Sequence, residues 1–388
     1  MTDQFDPPAP PVRGAARQAP ASAQELLADR MLLQISSRRV GYFAGHLYPN
    51  RSGLILSAST AESTSDPSVK TAELRRNEHG GIVLVDPARY LTHTASAEQP
   101  FIPADEGALP FGVLEESALT QLERGADAAI TPTGYIEAED SAALIAAAAQ
   151  VTALNHPRLV FAVPISNAWL RGSALDQLTA VLKDVPGVKA LMFGGQQDPI
   201  GALKHGVANL CTLIEQVPHL ALMRTDIAAF GALAQGAAFA AFGMGSTQRH
   251  IVPPGQQANH SERSGFSPSV LFPELKTFSL GETIARRFAV TPEDQVPACK
   301  CGICGGKLID RFTKKENERE AMGHNVAVMM GWAGQLAAAA DRKNAPTWWA
   351  EACTEAVEQH GVINRLAKSP DGFKVDAQLA QWAARAQA

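Results

Sequence analysis

Eight short apolar runs, most of them followed by a stretch of helical periodicity, limit this chain to very few architectures. They are SGLIL (52–56), GIVLVD (81–86), PFGVL (110–114), ADAAIT (126–131), RLVFAVP (158–164), VKALMFGG (188–195), HLALMR (219–224) and AFAAFG (238–243). Segments such as SALTQLERG, DSAALIAAAAQVTAL, ALDQLTAVLKDV and ALKHGVANLCTLIEQV, with apolar residues at helical spacing, lie between them. Strands that are apolar at successive positions are buried on both faces, the condition of a parallel sheet covered by its own crossover helices. Eight such units point to a closed (β/α)8 TIM barrel in preference to an open doubly wound sheet. With 388 residues, 46% of them hydrophobic, the chain can build that core and an appended subdomain.

The flanks read differently. The first two dozen residues, rich in Pro, Ala and Gln, have almost nothing to bury and are expected to be disordered. Residues 250–298 are rich in Pro, Ser and Gly and read as irregular, whereas 316–340 and 346–366 read as helices. The formal charge of −5 argues against a nucleic-acid binder that works by bulk charge, so basic patches must be sought locally. There is no leader-like opening and no apolar run of about 20 residues, which points to a cytoplasmic protein without a membrane span.

Three of the five cysteines crowd into CKCGICGG at 299–306. Cys299, Cys301 and Cys304 are too close together for each to find a well-formed disulfide partner within the cluster, and Cys211 and Cys353 sit alone in apolar helical patterns. A reducing compartment also favours metal over disulfide. Three thiolates bind Zn2+ tetrahedrally with one further ligand, and the next histidine along the chain is His324, with His250 and His260 as upstream competitors. The expected division is therefore a disordered segment at 1–28, the barrel at 29–290, a zinc-binding subdomain at 291–345 and a helical extension at 346–388.

In a barrel of this kind the reactive groups gather at the C-terminal ends of the strands. Those ends bring Asp86, Thr131 to Thr133, Pro164 to Asn167, Gly194 to Gln197, Arg224 to Asp226 and Gly243 to Gln248 to one mouth. A barrel followed by Cys-x-Cys-x-x-Cys and then His-Asn on a helix resembles the tRNA-guanine transglycosylase family, which exchanges a guanine in tRNA for a 7-deazapurine base. The resemblance spans roughly residues 50–345 by element order and motif placement. It implies Zn2+ at Cys299, Cys301, Cys304 and His324, a tRNA or free purine or 7-deazapurine ligand, and a homodimer or a heterodimer with a related chain.

The departures from the family are specific. Asp86 in GIVLVDPARY matches the Asp of the family's Asp-Ser-Gly-Gly-Phe, but Pro87, Ala88 and Arg89 replace the Ser-Gly-Gly. FAVPISNAW stands where the family has Gly-x-Val-Gln-Gly, while the Gly-Gly of the sixth strand is kept as Gly194-Gly195. On strand eight, Ala241 or Gly243 falls where the resemblance implies the Asp that attacks the ribose anomeric carbon. Neither residue can act as a nucleophile. Strand four offers Thr131 and Thr133 in place of the base-recognising Asp, and the interval from Cys304 to His324 is shorter than the family's usual one.

Each candidate has a plain structural alternative. Asp86 is either a mouth carboxylate that acts in catalysis or a turn cap. Asp226 is either a substitute nucleophile or half of an ion pair with Arg224, which could itself orient a ligand. Thr131, Gly194, Gly195, Gln196 and Ser246 are candidate substrate contacts, the glycines by allowing close backbone approach to a flat base or a phosphate. Tyr90, Trp169 and Phe193 either stack on a purine or pack.

Between Lys300 and Arg319, Lys300, Lys307, Arg311, Lys314, Lys315 and Arg319 outweigh Asp310, Glu316 and Glu318 by three charges, as either an RNA-phosphate surface or a solvated helix. Two functional classes remain: a glycosyltransferase with altered chemistry, or a non-catalytic binding subunit on the same barrel. A third, a small-molecule enzyme for a phosphorylated ligand, would use Asp86 and the Gly194-Gly195 loop. Converging carboxylates in an open mouth favour an enzyme. A mouth plugged by side chains favours the binding subunit.

Overall fold

The computed structural model describes residues 22–42, 47, 50–58, 70–74, 81–104, 112–257, 267–339 and 344–387. Eight parallel strands close in chain order: β1 (Arg30–Ser36), β2 (Ser52–Ser57), β3 (Ile82–Asp86), β4 (Ala129–Ile130), β5 (Leu159–Ser166), β6 (Val188–Gly194), β7 (Leu220–Thr225) and β8 (Phe239–Gly243). Closure runs from Arg30 opposite Phe239 to Gln34 opposite Gly243.

Two of the eight strands differ from expectation. PFGVL is not a strand: Gly112, with φ 75°, precedes Val113, which begins helix α2 (Val113–Glu123), while residues 110 and 111 lie outside the described ones. The missing strand is RMLLQIS, and a short helix, α1 (Ala23–Leu27), precedes it with Ser22 as N-cap and Ala23, Leu26 and Leu27 buried. Disorder through residue 28 is thus corrected for residues 22–28. Residues 1–21 lie outside the described ones.

Alternation along each strand sorts the core into two layers. Leu32, Ile55, Leu84, Val160, Ala190 and Met223 belong to one buried cluster, which also contains Ala241, and their strand neighbours Leu33, Leu54, Val83, Phe161 and Leu191 belong to a second that includes the surrounding helices. The strands read as continuous apolar runs because both faces are covered.

Side chains stitch the seam around β4 where backbone pairing is sparse. Val85 opposite Ala129 is the pairing between β3 and β4, and Asp127 Oδ2 accepts from Val83 N at 2.8 Å beside it. Gln121 on α2 accepts from Ile130 N at 2.9 Å and donates to Ile130 O at 2.8 Å.

Outside the barrel lie α3 (Ser141–Leu154), α4 (Gly172–Lys183), α5 (Gly206–Gln216) and α6 (Ala228–Ala234). The stretch 250–298 is less irregular than its composition implies. It contains an antiparallel hairpin, β9 (Ser269–Phe272) with β10 (Thr277–Leu280), and helix α7 (Gly281–Phe288). Then come α8 (Glu318–Ala338), α9 (Ala345–Ala367) and α10 (Ala377–Ala384). The last two pack on the barrel's outer helices, with α9 against α6 and α10 against α5. Gly231 on α6 leaves the space that the Trp382 ring of α10 fills.

Candidate functional site: a metal centre beside a closed barrel mouth

The knuckle that carries the cysteines is built by its own backbone. Cys304 N and Gly305 N donate to Cys301 O, Gly306 N donates to Cys299 O, and Cys299 N donates back to Lys307 O. Gly305 and Gly306 take φ of 57° and 90°, which lets the chain reverse under the thiols. His324, fully buried on α8, brings its Nδ1 to 3.4, 3.5 and 3.2 Å from the Sγ atoms of Cys299, Cys301 and Cys304. All four donor atoms lie within 4.8 Å of one another.

A tetrahedral ion with metal–sulfur bonds of about 2.3 Å and a metal–nitrogen bond of about 2.0 Å needs sulfur–nitrogen separations of about 3.5 Å, so the residues fit a closed four-ligand metal site. His324 Nε2 lies 2.7 Å from Leu271 O, which takes the ring proton on that nitrogen and leaves the Nδ1 lone pair for the metal. Asn325, the next residue, accepts from Leu271 N at 2.8 Å and donates to Ser269 O at 2.9 Å. The His-Asn pair therefore ties the metal ligand to β9 of the hairpin. Of the competing histidines, His250 is held low, at about 4, by burial and by Arg224 and Arg249, and lies outside the cluster. His260 lies outside the described residues.

Around the knuckle, Arg311 Nη2 donates to Cys304 Sγ at 3.1 Å and to Glu320 at 3.0 Å, and its guanidinium stacks on Phe312. Lys307 Nζ is 3.6 Å from the same Glu320 carboxylate. Of the six cations expected on an RNA surface, Lys307 and Arg311 thus reach Glu320 at the metal knuckle, and all but Arg311 are exposed.

The barrel mouth is closed by side chains. Asp86 ends β3 completely buried. Its Oδ2 accepts from Gln34 Nε2 at 2.7 Å, Tyr90 Oη at 2.5 Å and Ser57 Oγ at 3.2 Å, and its Oδ1 accepts from Ala88 N at 2.9 Å. The turn-cap reading of Asp86 is therefore realised, together with a buried network. Arg224 completes that network: Nη1 donates to Tyr90 Oη at 3.1 Å and stands 3.9 Å from Asp86 Oδ2. Its Nε and Nη2 donate to the carbonyls of His250 and Thr247, so the loop after β8 is drawn over the mouth. Burial, with the Asp86 charge and against that of Arg224, holds the Tyr90 phenol well above its ordinary value.

Arg224 pairs with Asp86, not with Asp226 as the sequence implied. Ile251, fully buried, exchanges backbone hydrogen bonds with Phe193 O and Gly195 N, which fastens the covering loop to the end of β6.

The remaining candidates make the following contacts within the fold. Thr131 Oγ1 accepts from Ala162 N at 2.9 Å, and Thr133 Oγ1 donates to Ala162 O at 2.7 Å, so these hydroxyls replace ladder bonds to β5. Gly194 faces the Tyr135 ring at the distance where a Cβ would collide with it, so close approach here serves a tyrosine and not a base. Gly195, at φ 154°, turns the chain beside Pro199. Gln196 donates to Gln257 O, and Ser246 opens an exposed 3-10 turn. Trp169 donates to Glu137 O, and Tyr90, Trp169 and Phe193 are all buried as packing. Ala241 is fully buried in the cluster that Leu32 and Met223 share.

Sequence reasoning missed Gln34 and Tyr135. A glutamine inside an apolar run, as in RMLLQIS, was the available signal for the first.

Asp226 follows β7 and lines a cleft with Asp198, Arg249 and Gln378. Burial first, and then the Asp198 charge, push its carboxyl up to about 6 against the pull of Arg249 and of Ala228 N–H. The open space in that cleft, about 10 Å³, takes one water-sized occupant. Among the described residues no helix is long and apolar enough to cross a membrane.

No family model and no curated protein matches the chain. Similar solved structures include 3-hexulose-6-phosphate synthase from Salmonella typhimurium, 13% identical over 55% of this chain and 88% of that one, at a TM-score of 0.33. The carboxyl transferase domain of Rhizobium etli pyruvate carboxylase, in its Y628A form with pyruvate, is 14% identical over 64% of this chain and 49% of that one, at a TM-score of 0.36. The same domain with 3-bromopyruvate is 13% identical over 65% and 49%, at 0.37. The chain spans about half the length of the carboxylase domains.

Proposed function

We propose that this chain is a zinc-bearing barrel of the transglycosylase type that works as a non-catalytic binding subunit, with tRNA as its ligand and a second barrel chain, identical or related, as its partner. The observation that carries the non-catalytic part is the closed mouth. Asp86 has its oxygens committed to Gln34, Ser57, Tyr90 and Ala88, and Ala241 lies buried at the strand-eight position where the resemblance implies a nucleophile.

Zinc is the ion favoured by three thiolates and one imidazole in a closed tetrahedron, and its role there is structural. The tRNA part rests on the resemblance and on exposed Lys300, Lys314 and Lys315 beside the metal knuckle. An altered glycosidic reaction through Asp226 is disfavoured because the cleft beside it admits one water and no nucleobase.

Native mass spectrometry of the purified protein, incubated with tRNA and with a 7-deazapurine base, tests the reading. The expected spectra contain one zinc per chain, a dimer and a tRNA complex that dissociates on denaturation. Release of guanine from the tRNA, or a tRNA adduct that survives denaturation, would overturn the non-catalytic assignment. No complex with tRNA at low salt would overturn the ligand.

A further inference from the structure

A dication held by three thiolates and a neutral imidazole carries a net negative charge. At the knuckle that charge falls among buried atoms, with Cys299 4% and Cys304 1% exposed and His324 fully buried. Charge in such surroundings is costly unless an opposite charge stands beside it. Arg311 supplies one, since its Nη2 donates to Cys304 Sγ at 3.1 Å. The same nitrogen donates to Glu320 Oε1 at 3.0 Å, and Lys307 Nζ stands 3.6 Å from that oxygen. Glu320 and Lys307 offset each other, which leaves the guanidinium charge for the thiolates.

The guanidinium is placed from several sides. Nη1 donates to Leu308 O at 2.8 Å, which holds the side chain against the turn that leaves the knuckle. Its central carbon lies 3.8 Å from the centroid of the Phe312 ring, and that fully buried ring packs at 5.6 Å against the ring of His324. Glu320 lies one turn before His324 on the same face of α8. Arg311 therefore spans both halves of the centre, the knuckle that carries Cys304 and the helix that carries His324. This pose leaves Arg311 Nε buried without an acceptor among the described residues. A donor left unbonded in that way is tolerated where another interaction offsets it, and a cluster of thiolates beside Nη2 does so.

We propose that Arg311 is a positioning residue of the metal centre: it sets how tightly the metal is held, by neutralising the thiolate cluster at Cys304 and by clamping the knuckle to α8 through Glu320. The inference rests on the zinc reading above. It assigns to Arg311 a task that its basic neighbours do not share, because Lys300, Lys314 and Lys315 are exposed to solvent.

Zinc-loaded protein challenged with a pyridylazoresorcinol chelator, and followed by the colour of the zinc complex, tests the role. Arg311→Gln should release zinc about tenfold or more faster than wild type, and Arg311→Lys, which restores the charge without the planar fork, should fall between them. Glu320→Gln changes a carboxylate 35% exposed and keeps the fold, so it decides the question should Arg311→Gln fail to fold; freeing the guanidinium from α8, it should speed release severalfold. In the Co2+-substituted protein, the sulfur-to-cobalt charge-transfer band of Arg311→Gln should move to lower energy, because a thiolate that loses a hydrogen bond gives up its electrons more readily. A role in packing alone would leave that band in place. The inference is overturned if Glu320→Gln and Arg311→Gln release zinc within about twofold of wild type, or if the cobalt band of Arg311→Gln coincides with that of wild type. A wild type that takes up neither zinc nor cobalt would overturn the zinc reading itself, and this inference with it.

Discussion

Replacing Asp86 with alanine separates a structural carboxylate from a catalytic one. Asp86 and Arg224 have side chains 1% and 3% exposed, so what the substitution orphans stays out of water. Gln34 Nε2 keeps Ser57 Oγ at 2.8 Å, but Tyr90 O–H, Ser57 O–H and Ala88 N–H lose their acceptor. Each unsatisfied buried donor costs about 1–3 kcal/mol, and the guanidinium 3.9 Å away loses its counter-charge. Breaking a buried pair by removing one partner costs about 3–5 kcal/mol, which overlaps the lower part of the roughly 3–9 kcal/mol for three orphaned donors, so Asp86→Ala should cost at least about 3 kcal/mol.

Asp86→Asn keeps one oxygen for Tyr90, Ser57 and Gln34 but turns its NH2 toward Ala88 N–H, for about 2 kcal/mol. Urea unfolding followed by tryptophan fluorescence, read as a midpoint shift at constant slope, measures both. A carboxylate waiting in an open mouth for substrate is strained for function, and its removal leaves stability unchanged or raises it. An Asp86→Ala protein within about 1 kcal/mol of wild type would therefore refute the closed-mouth reasoning.

Four further outcomes follow from the geometry. Elemental analysis of protein purified without chelator should find about one zinc per chain, and Cys301→Ser should lose the metal and melt earlier, because binding energy at such a site is folding energy. Gly194→Ala drives a methyl into the Tyr135 ring and should lower stability by about 1–3 kcal/mol in urea unfolding. The Asp226 carboxyl, folded at about 6 against an ordinary 3.8, favours folding below pH 4 and loses that contribution as pH rises through 6. Asp226→Asn should accordingly match wild type at pH 4 and exceed it above pH 6 by thermal melting. Reversing Lys314 and Lys315 to Glu should flatten the salt dependence of tRNA affinity in filter binding by about one to two units of slope, with zinc content unchanged.

Seven of the eight barrel strands were legible because burial on both faces leaves a continuous apolar run at each. The exception is instructive. PFGVL has the composition of a strand, but five residues cannot distinguish a strand from the first turn of a helix, and Val113 and Leu114 bury themselves as α2 begins. RMLLQIS was obscured by buried Gln34, whose amide belongs to the mouth network and not to solvent. β4 was over-extended because Thr131 and Thr133 do the work of strand residues through their hydroxyls, a role that spacing does not reveal. The hairpin at 269–280 hid among prolines and serines because part of its anchorage lies far along the chain, on His324 and Asn325.

The metal centre was legible for the opposite reason: its chemistry tolerates few substitutes, so four residues sufficed to place it. The mouth was not, because a plug and an active site draw on the same residue types at the same strand ends. Asp86, Arg224 and Tyr90 would be the expected cast of either, and only the partners of their polar atoms distinguish them. A reacting carboxylate needs a lone pair aimed at substrate. In this chain Tyr90, Ser57, Gln34 and Ala88 converge on Asp86, and Arg224 is drawn in as the nearby charge. With Ala241 at strand eight no second carboxylate there demands an open mouth, and the covering loop can close through His250 O, Thr247 O and Ile251. A fully satisfied polar network of that kind rigidifies what it spans. Asp86, Tyr90 and Arg224 thus spend their polar atoms on one another and on the covering loop, which leaves the outer faces and the Cys3His knuckle as the exposed surfaces that the proposed binding role would use.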